Sequence, residues 1–345
     1  MTMLVPVGGF LGAGKTTLIL AAARVLRTRG LQAAAIFNDQ GADLVDTRYA
    51  AAQGIDADQV AGGCLCCRFS DLVDAADRLR AHAPDVIFAE AVGSCADISA
   101  TTLQPLKRLY RDRYRVAPYS VLVDLGRTFE GEWRFLFEKQ IDEADLICFT
   151  RADRYRDAQA GRPVPHAPLR YLSGVTGEGV AAWLDEVLAG SIAPGARILD
   201  IDYERYARAE ATFAWMNCTA TVELREPLSP AMVVGPLLER LDAAFTAGGL
   251  EIAHLKLIDE AASGYVKASL VRNGDEPAVE GSMMASPTSM HELLLNVRAA
   301  GDPQHLRSIV EAQFAALPGK VVMRAVQSFR PAPPRPEHRE ERVYG

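Results

Sequence analysis

The sequence predicts an α/β protein: a doubly wound, mostly parallel-sheet phosphate-loop domain, then a smaller C-terminal α+β domain of ferredoxin-like pattern. Three observations predict it. From residue 3 to about 190, short continuous apolar runs alternate with longer helical segments, the mark of a parallel sheet covered on both faces. A complete G-x-x-x-x-G-K-[ST] motif sits between the first apolar run and the first helix. After about residue 206 the pattern changes to strands of period two separated by helices.

Taken in order, the first-domain strands are expected at Met3–Val7, Ala33–Phe37, Asp85–Ala89, Tyr119–Val123, Leu146–Phe149 and Leu169–Leu172. Helices such as Thr16–Arg27, Ser70–Ala81 and Gly179–Leu188 lie between them. The second domain opens with the alternating strand Thr212–Glu223 and the helix Pro230–Ala247. Strands Glu251–Ile258, Tyr265–Val271 and His291–Arg298 follow, then helix Pro303–Ala316 and strand Lys320–Ser328. The order β-α-β-β-β-α-β resembles a ferredoxin-like unit with one added strand. The expected domains are therefore 1–192 and 210–330, joined by a linker at 193–209. The tail 331–345, rich in Pro and charge, is expected to be disordered.

Composition narrows the function. The 345 residues are 49% hydrophobic and 23% charged, ordinary for a globular protein with a real core. A formal net charge of −7 argues against a nucleic-acid partner, whose affinity would come from clustered Lys and Arg. No apolar run is long enough to span a bilayer, so no membrane partner is expected. The apolar opening Met1–Leu11 lacks the basic start and cleavage site of a signal peptide, which makes the cytoplasm the expected location. Three of the six cysteines cluster at Cys64, Cys66 and Cys67, which suggests metal or redox chemistry rather than a disulfide framework. Cys95, Cys148 and Cys218 are scattered, and Cys148 falls in an apolar run as a core residue does.

The phosphate loop is Gly9-Phe10-Leu11-Gly12-Ala13-Gly14-Lys15-Thr16. Its glycines allow the backbone to curl around a phosphate, and the following helix start adds a favourable dipole. Lys15 places a point charge at the β and γ phosphates, and the Thr16 hydroxyl can ligate Mg²⁺. Farther along, the Asp85–Glu90 strand ends in Glu90-Ala91-Val92-Gly93. A carboxylate at such a strand tip can organise Mg²⁺, and Gly93 would let the backbone approach the γ-phosphate. Asp39 and Asp46, in the segment after the second strand, are candidates for contacts to Mg²⁺ water or to a transferable metal, since carboxylates near phosphates need a cation between them. Two later segments suggest a base pocket: Thr150-Arg151-Ala152-Asp153, where Asp153 can accept from a guanine edge, and the Ser173–Gly177 loop, which can brace the base. Their order favours GTP over ATP.

Gly62-Gly63-Cys64-Leu65-Cys66-Cys67 places three soft ligands beside two flexible glycines. Such a set suits Zn²⁺, Cu⁺ or Co²⁺ with a fourth position open for exchange. Buried structural cysteines or a redox pair are the alternatives.

With those residues laid out, the chain resembles the CobW-like metallochaperone GTPases, relatives of the urease and hydrogenase nickel-insertion GTPases and of nitrile hydratase activators. The matching segments are GGFLGAGKTTL, FNDQGADLVD, GGCLCC, FAEAVG and QIDEADLICFTRAD, over roughly residues 3–190. The resemblance implies slow GTP hydrolysis that gates release of Zn²⁺ or Co²⁺ to a client metalloprotein or a cobalamin-related enzyme, with a homodimer as one arrangement. It assigns Gly12, Gly14, Lys15, Thr16 and Thr17, with Ala13 in the same loop, to phosphates and Mg²⁺. Glu90 and Gly93 go to the γ-phosphate side, Lys15 and Glu90 being the hydrolytic candidates. Cys64, Cys66 and Cys67 go to the metal and Asp153 to guanine. Thr150-Arg151 stands where the family has Asn-Lys, Ala42 replaces a common acidic residue, and the six histidines are dispersed rather than clustered, His166, His254, His291, His305 and His338 reading as core or surface. A P-loop small-molecule kinase, with Arg108, Arg111, Arg113 and Arg115 as its lid, and a nucleotide-sensing scaffold that carries no metal are the rival readings.

Overall fold

The computed structural model describes residues 1–155 and 166–345. The chain divides into two compact units: Met1–Gln40, Asp46–Ala209 and Pro333–Gly345 form the first, and Gly41–Val45 with Glu210–Ala332 form the second.

Unit 1 follows the βα rhythm. Its elements are β1 (Thr2–Gly9), α1 (Lys15–Thr28), β2 (Ala33–Asn38), α2 (Val45–Ala52), β3 (Asp56–Val60), α3 (Phe69–Arg80), β4 (Val86–Glu90), α4 (Gln104–Leu109), β5 (Tyr114–Val116), β6 (Ser120–Asp124), α5 (Gly131–Glu143), β7 (Leu146–Thr150), α6 (Ala152–Tyr155), β8 (Leu169–Tyr171), α7 (Val180–Ala189) and α8 (Tyr203–Glu210). The sheet order is β3-β2-β4-β1-β6-β7-β8, with β5 also on β1. Every pairing is parallel. β4, β6 and β7 are buried at every position, which is why they read as unbroken apolar runs. β3 (Asp-Ala-Asp-Gln-Val) escaped the sequence reading because it is a partly exposed edge strand with polar side chains and no apolar period. In this order β1 and β4 are neighbours, so the phosphate loop after β1 and the segment after β4 leave the same end of the sheet side by side.

Unit 2 contains β9 (Phe213–Leu228), α9 (Pro230–Ala247), β10 (Glu251–Ala261), β11 (Gly264–Leu270), β12 (Ala278–Gly281), β13 (Thr288–Ala300), α10 (Pro303–Ala315) and β14 (Gly319–Phe329). Its sheet runs β12-β11-β10-β13-β9-β14, antiparallel throughout. The inner order β10-β13-β9-β14 is the split βαβ arrangement, and the β11–β12 hairpin widens one edge by one strand more than expected. The apolar faces of α9 and α10 (Val234, Leu237, Leu241, Phe245, Val310, Phe314) close on Met216, Leu255, Leu295 and Val297 of the sheet. One polar pair lies inside: His291 Nδ1 and Asp259 Oδ2 are 2.7 Å apart, and the second ring nitrogen meets the Thr288 carbonyl at 2.9 Å. Burial pushes the Asp259 carboxyl up to about 6, even though His291 pulls it the other way. His291 is thus a satisfied core residue.

Two boundary expectations need correction. Residues 193–209, expected to be a linker, belong to unit 1: the Asp145 carboxylate accepts from the Gly195 and Ala196 N–H groups at 2.6 and 2.8 Å, and α8 supplies the buried Tyr206. The tail is not disordered within 333–345 either. Its Glu340 N–H donates to the Ala100 carbonyl at 3.0 Å, Arg339 Nε donates to the buried Asp97 at 2.8 Å, and Tyr344 N–H donates to Gln104 at 2.7 Å. Richness in Pro and charge suggested disorder; specific hydrogen bonds to buried partners override it.

Candidate nucleotide and metal site

The phosphate loop joins β1 to α1 through Gly12 and Gly14, at φ 77° and 92°, conformations that only glycine adopts without strain. Ala13 N–H donates to the Phe10 carbonyl at 3.0 Å, closing a turn, and Lys15 opens a helix of 14 residues. Lys15 Nζ curls back to the Gly9 and Phe10 carbonyls at 2.8 and 3.3 Å. The loop is braced from outside as well. Thr150 Oγ1, at the tip of β7, donates to the Ala13 carbonyl at 2.9 Å, and buried Arg127, after β6, donates to the Leu11 carbonyl at 2.6 Å. Thr150 thus ties the base-side segment to the loop by its hydroxyl, in the place where the resemblance led us to expect an amide.

Thr16 Oγ1 lies 3.1 Å from Asp46 Oδ1 and 2.9 Å from Glu90 Oε2, and all three residues are buried. A hydroxyl has one proton to donate, so it cannot satisfy both carboxylates. Two buried carboxylates converging on one oxygen form a hard, anionic oxygen set of the kind that Mg²⁺ takes. The sequence brings Glu90 here from the tip of β4 and Asp46 from the first turn of α2. Gly93 is required by close approach: a Cβ there would stand 2.7 Å from the Leu11 nitrogen and 2.8 Å from its Cα.

On the base side, Asp153 is exposed in the first turn of the short α6. Arg151 before it takes φ 56° and approaches buried Asp124 at 3.4 Å. The Ser173–Gly177 loop packs beside α1, since a Cβ on Gly174 would touch Thr17 Cγ2 at 3.0 Å. Buried Ser173 accepts from Thr176 N–H at 3.1 Å, which shapes that loop.

The thiols gather as the spacing suggests. Cys64 Sγ stands 2.6 Å from Cys66 Sγ and 3.2 Å from Cys67 Sγ, and Cys66 and Cys67 are 3.7 Å apart. Among the described residues, these three form the group competent to hold a metal ion. Asp39 is not part of it; its backbone N–H donates to the Val60 carbonyl at 3.1 Å. The Cys66 thiol is pushed well above its ordinary value by hydrogen bonds with Cys64, Cys67 and Cys95 and by burial. Cys67 is pushed up to about 11, first by its hydrogen bond with Cys64 and then by burial. Crowded, dehydrated sulfurs stay protonated until a cation compensates their charge, so metal binding here must release protons. The donor set fits a thiophilic ion.

Four residues escaped the sequence reading. Asn38, at the tip of β2, donates from Nδ2 to the Val60 and Gly63 carbonyls at 2.9 and 2.7 Å. Its Oδ1 accepts from Leu65 N–H at 2.9 Å and Val92 N–H at 3.4 Å. One buried amide therefore links the cysteine loop to the segment after Glu90. Cys95, expected to be isolated, has its sulfur 3.9 Å from that of Cys66. Gln140 Nε2, from α5, donates to the Gly93 and Cys95 carbonyls, both at 2.9 Å. Arg127 is the fourth. Asn38 and Gln140 lie inside segments already singled out, FNDQGADLVD and QIDEADLICFTRAD, and Cys95 lies two residues past FAEAVG, but only the fold shows what they touch.

The tail also reaches the thiols. Arg335 N–H donates to Cys67 Sγ at 3.1 Å, Glu337 N–H to the Cys66 carbonyl at 3.0 Å, and Glu337 Oε2 accepts from Ser70 N–H and Oγ at the start of α3 at 3.0 and 2.6 Å. His338 lies edge-on to Phe69, with ring centroids 5.0 Å apart. Two of the four arginines considered as a kinase lid are engaged elsewhere: Arg108 pairs with Glu340 at 2.8 Å and Arg113 with Asp77 at 2.7 Å.

Residues 3–164 match the family described as CobW/HypB/UreG, nucleotide-binding domain. No curated protein matches the chain. Among solved structures, HypB from Helicobacter pylori in complex with nickel is 18% identical, covering 55% of this chain and 86% of its own, with a TM-score of 0.42. HypB from Archaeoglobus fulgidus is also 18% identical, covering 55% and 89% at TM-score 0.37. The zinc-bound YjiA GTPase from E. coli is 15% identical and covers 90% of this chain and 98% of its own, at TM-score 0.33. Among the described residues, no helix is long and apolar enough to cross a membrane.

Proposed function

We propose that this protein is a GTP-dependent metallochaperone that hydrolyses GTP slowly and hands a thiophilic metal, Zn²⁺ or Co²⁺, to a client metalloprotein or cobalamin-related enzyme in the cytoplasm. The observation that carries the reading is the buried Asn38 amide, which bonds both to the cysteine loop at Gly63 and Leu65 and to Val92 beside Glu90. A γ-phosphate held at Lys15 and Gly93 would bear on Val92, and Asn38 transmits that displacement to the carbonyls and amides that shape the sulfur group. Order and disorder of a phosphate-sensing segment is a known way to couple hydrolysis to a second site.

The chain's own residues divide the work. Lys15 neutralises the β and γ phosphates, and Gly12, Ala13, Gly14, Thr16 and Thr17 line their cradle. Thr16, Asp46 and Glu90 would hold Mg²⁺, which when bound screens phosphate charge during transfer. Glu90 also stands where it can orient water. Asp153, with Ser173 beside the base, selects guanine. Cys64, Cys66 and Cys67 carry the cargo. Hydrolysis is slow because Arg127 donates to the Leu11 carbonyl of the loop rather than waiting as a mobile finger. A client or a second copy supplies what is missing.

Protein loaded with one equivalent of Zn²⁺ should release it to a chromogenic chelator faster after addition of GTP and Mg²⁺ than after ATP and Mg²⁺, by at least tenfold. Lys15→Ala should abolish the acceleration. Release that ignores GTP, or that persists in Lys15→Ala, would remove the proposal.

A further inference from the structure

We propose that Cys95 is a fourth sulfur ligand for the transported metal, delivered to the Cys64–Cys66–Cys67 group by the segment that follows Glu90. This rests on the reading above and deepens it, because it makes the metal itself a bridge between the thiol loop and the γ-phosphate side of the domain.

In a tetrahedral thiolate site with metal–sulfur bonds of about 2.3 Å, sulfurs lie about 3.8 Å apart. The Cys66–Cys95 separation is 3.9 Å and the Cys66–Cys67 separation 3.7 Å, so both neighbours of Cys66 already stand near that spacing. Cys64 and Cys66, at 2.6 Å, must spread as an ion enters between them. Cys95 is not within the tightest set of three, so its sulfur joins through Cys66 and on the buried side. Cys67, the half-buried member, faces the tail instead.

Cys95 is also held on both sides of its backbone. Its N–H donates to the Val92 carbonyl at 3.0 Å, and its carbonyl accepts from Gln140 Nε2 at 2.9 Å. The same Gln140 amide takes the Gly93 carbonyl, and Ala96 N–H donates to Tyr206 at 3.0 Å. Val92 to Ala96 is thus one tied segment that cannot shift at Gly93 without carrying the Cys95 sulfur. Gly93 in turn presses on Leu11 of the phosphate loop, with no room for a Cβ. Asn38 couples the two sides through the backbone; a Cys95–metal bond couples them through the cargo. A cysteine serving only as a small apolar filler has no need of a thiol neighbour. Cys148, on β7, is as deeply buried and stands outside the sulfur group.

Ligation by Cys95 as a thiolate releases the thiol proton to solvent as the sulfur–metal bond forms. The bound ion then has four sulfurs when the Val92–Ala96 segment is in place and three when it moves away, leaving one position for a client's ligand. Closing that position holds the metal; opening it permits exchange.

X-ray absorption on the zinc-loaded full chain, with and without Mg²⁺ and a non-hydrolysable GTP analogue, reads the sulfur count directly. Four sulfurs in at least one state of the wild type, and three in Cys95→Ala, is the expected result. Chelator competition should show Zn²⁺ affinity reduced at least tenfold in Cys95→Ala and unchanged in Cys148→Ala. Three sulfurs in both states of the wild type overturns the assignment even if Cys95→Ala fails to fold. If Cys64→Ser/Cys66→Ser/Cys67→Ser binds Zn²⁺ as tightly as the wild type, the metal-carrying reading itself fails, an outcome distinct from loss of Cys95 alone.

Discussion

At the scale of single residues, the least conspicuous side chain does the most connecting. Asn38 is a neutral amide with two donors and an acceptor, and three of its contacts, at 2.7 to 2.9 Å, go to backbone groups of the Val60–Leu65 stretch. Its burial makes each of those bonds count, since an unmet buried donor or acceptor costs about 1–3 kcal/mol. Asn38→Ala leaves the Leu65 N–H and the Gly63 carbonyl unmet, while the Val60 carbonyl keeps the Asp39 N–H, and should lower the unfolding free energy by about 2–4 kcal/mol in urea titration. A cost below about 1 kcal/mol would show that water replaces the amide and that it does not shape the cysteine loop. The thiols themselves illustrate a different rule. Close packing of sulfurs raises the pKa values of Cys66 and Cys67, which slows their reaction with electrophiles.

At the scale of elements, the tail 333–345 is the segment whose role the composition concealed. Its anchors are long-range: Arg339 to Asp97, Glu337 to the start of α3, Arg335 to Cys67. Asp97 is fully buried, and burial raises its carboxyl while Tyr203 and Arg339 pull it down. Removing residues 333–345 strips Asp97 of its guanidinium and should destabilise the protein by about 3 kcal/mol. The same deletion should raise the rate of alkylation at Cys67 several-fold over the full chain, followed by mass spectrometry under native conditions. Unchanged Cys67 reactivity would mean that the tail does not cover that sulfur. The strands show which patterns a sequence displays. β4, β6 and β7 announce themselves because both faces are buried; β3 does not, because an edge strand tolerates Asp and Gln.

At the scale of the molecule, the legible features were those fixed by local spacing. The phosphate loop, the strand-tip Glu90 and the Cys-x-Cys-Cys run each announce themselves within a few residues, because each needs particular residue types at set intervals. The parallel sheet and the split βαβ order of unit 2 were equally legible from apolar periodicity. What stayed hidden was whatever depends on chain segments meeting from afar: Asn38 with Val92, Cys95 with Cys66, Arg127 with Leu11. The base-side substitutions show both sides of this. Thr150 was visible as a departure from Asn, while its bond to Ala13 was not. The claim that unites these contacts is that nucleotide and metal share one free energy through the segment between Glu90 and Cys95. Its direct test is the Zn²⁺ dissociation constant of the full chain, by chelator competition, with and without Mg²⁺ and a non-hydrolysable GTP analogue. A change of at least tenfold, or about 1.4 kcal/mol of coupling, is expected, and by reciprocity Zn²⁺ should shift nucleotide affinity by the same factor. Identical zinc affinity in the two conditions would contradict it.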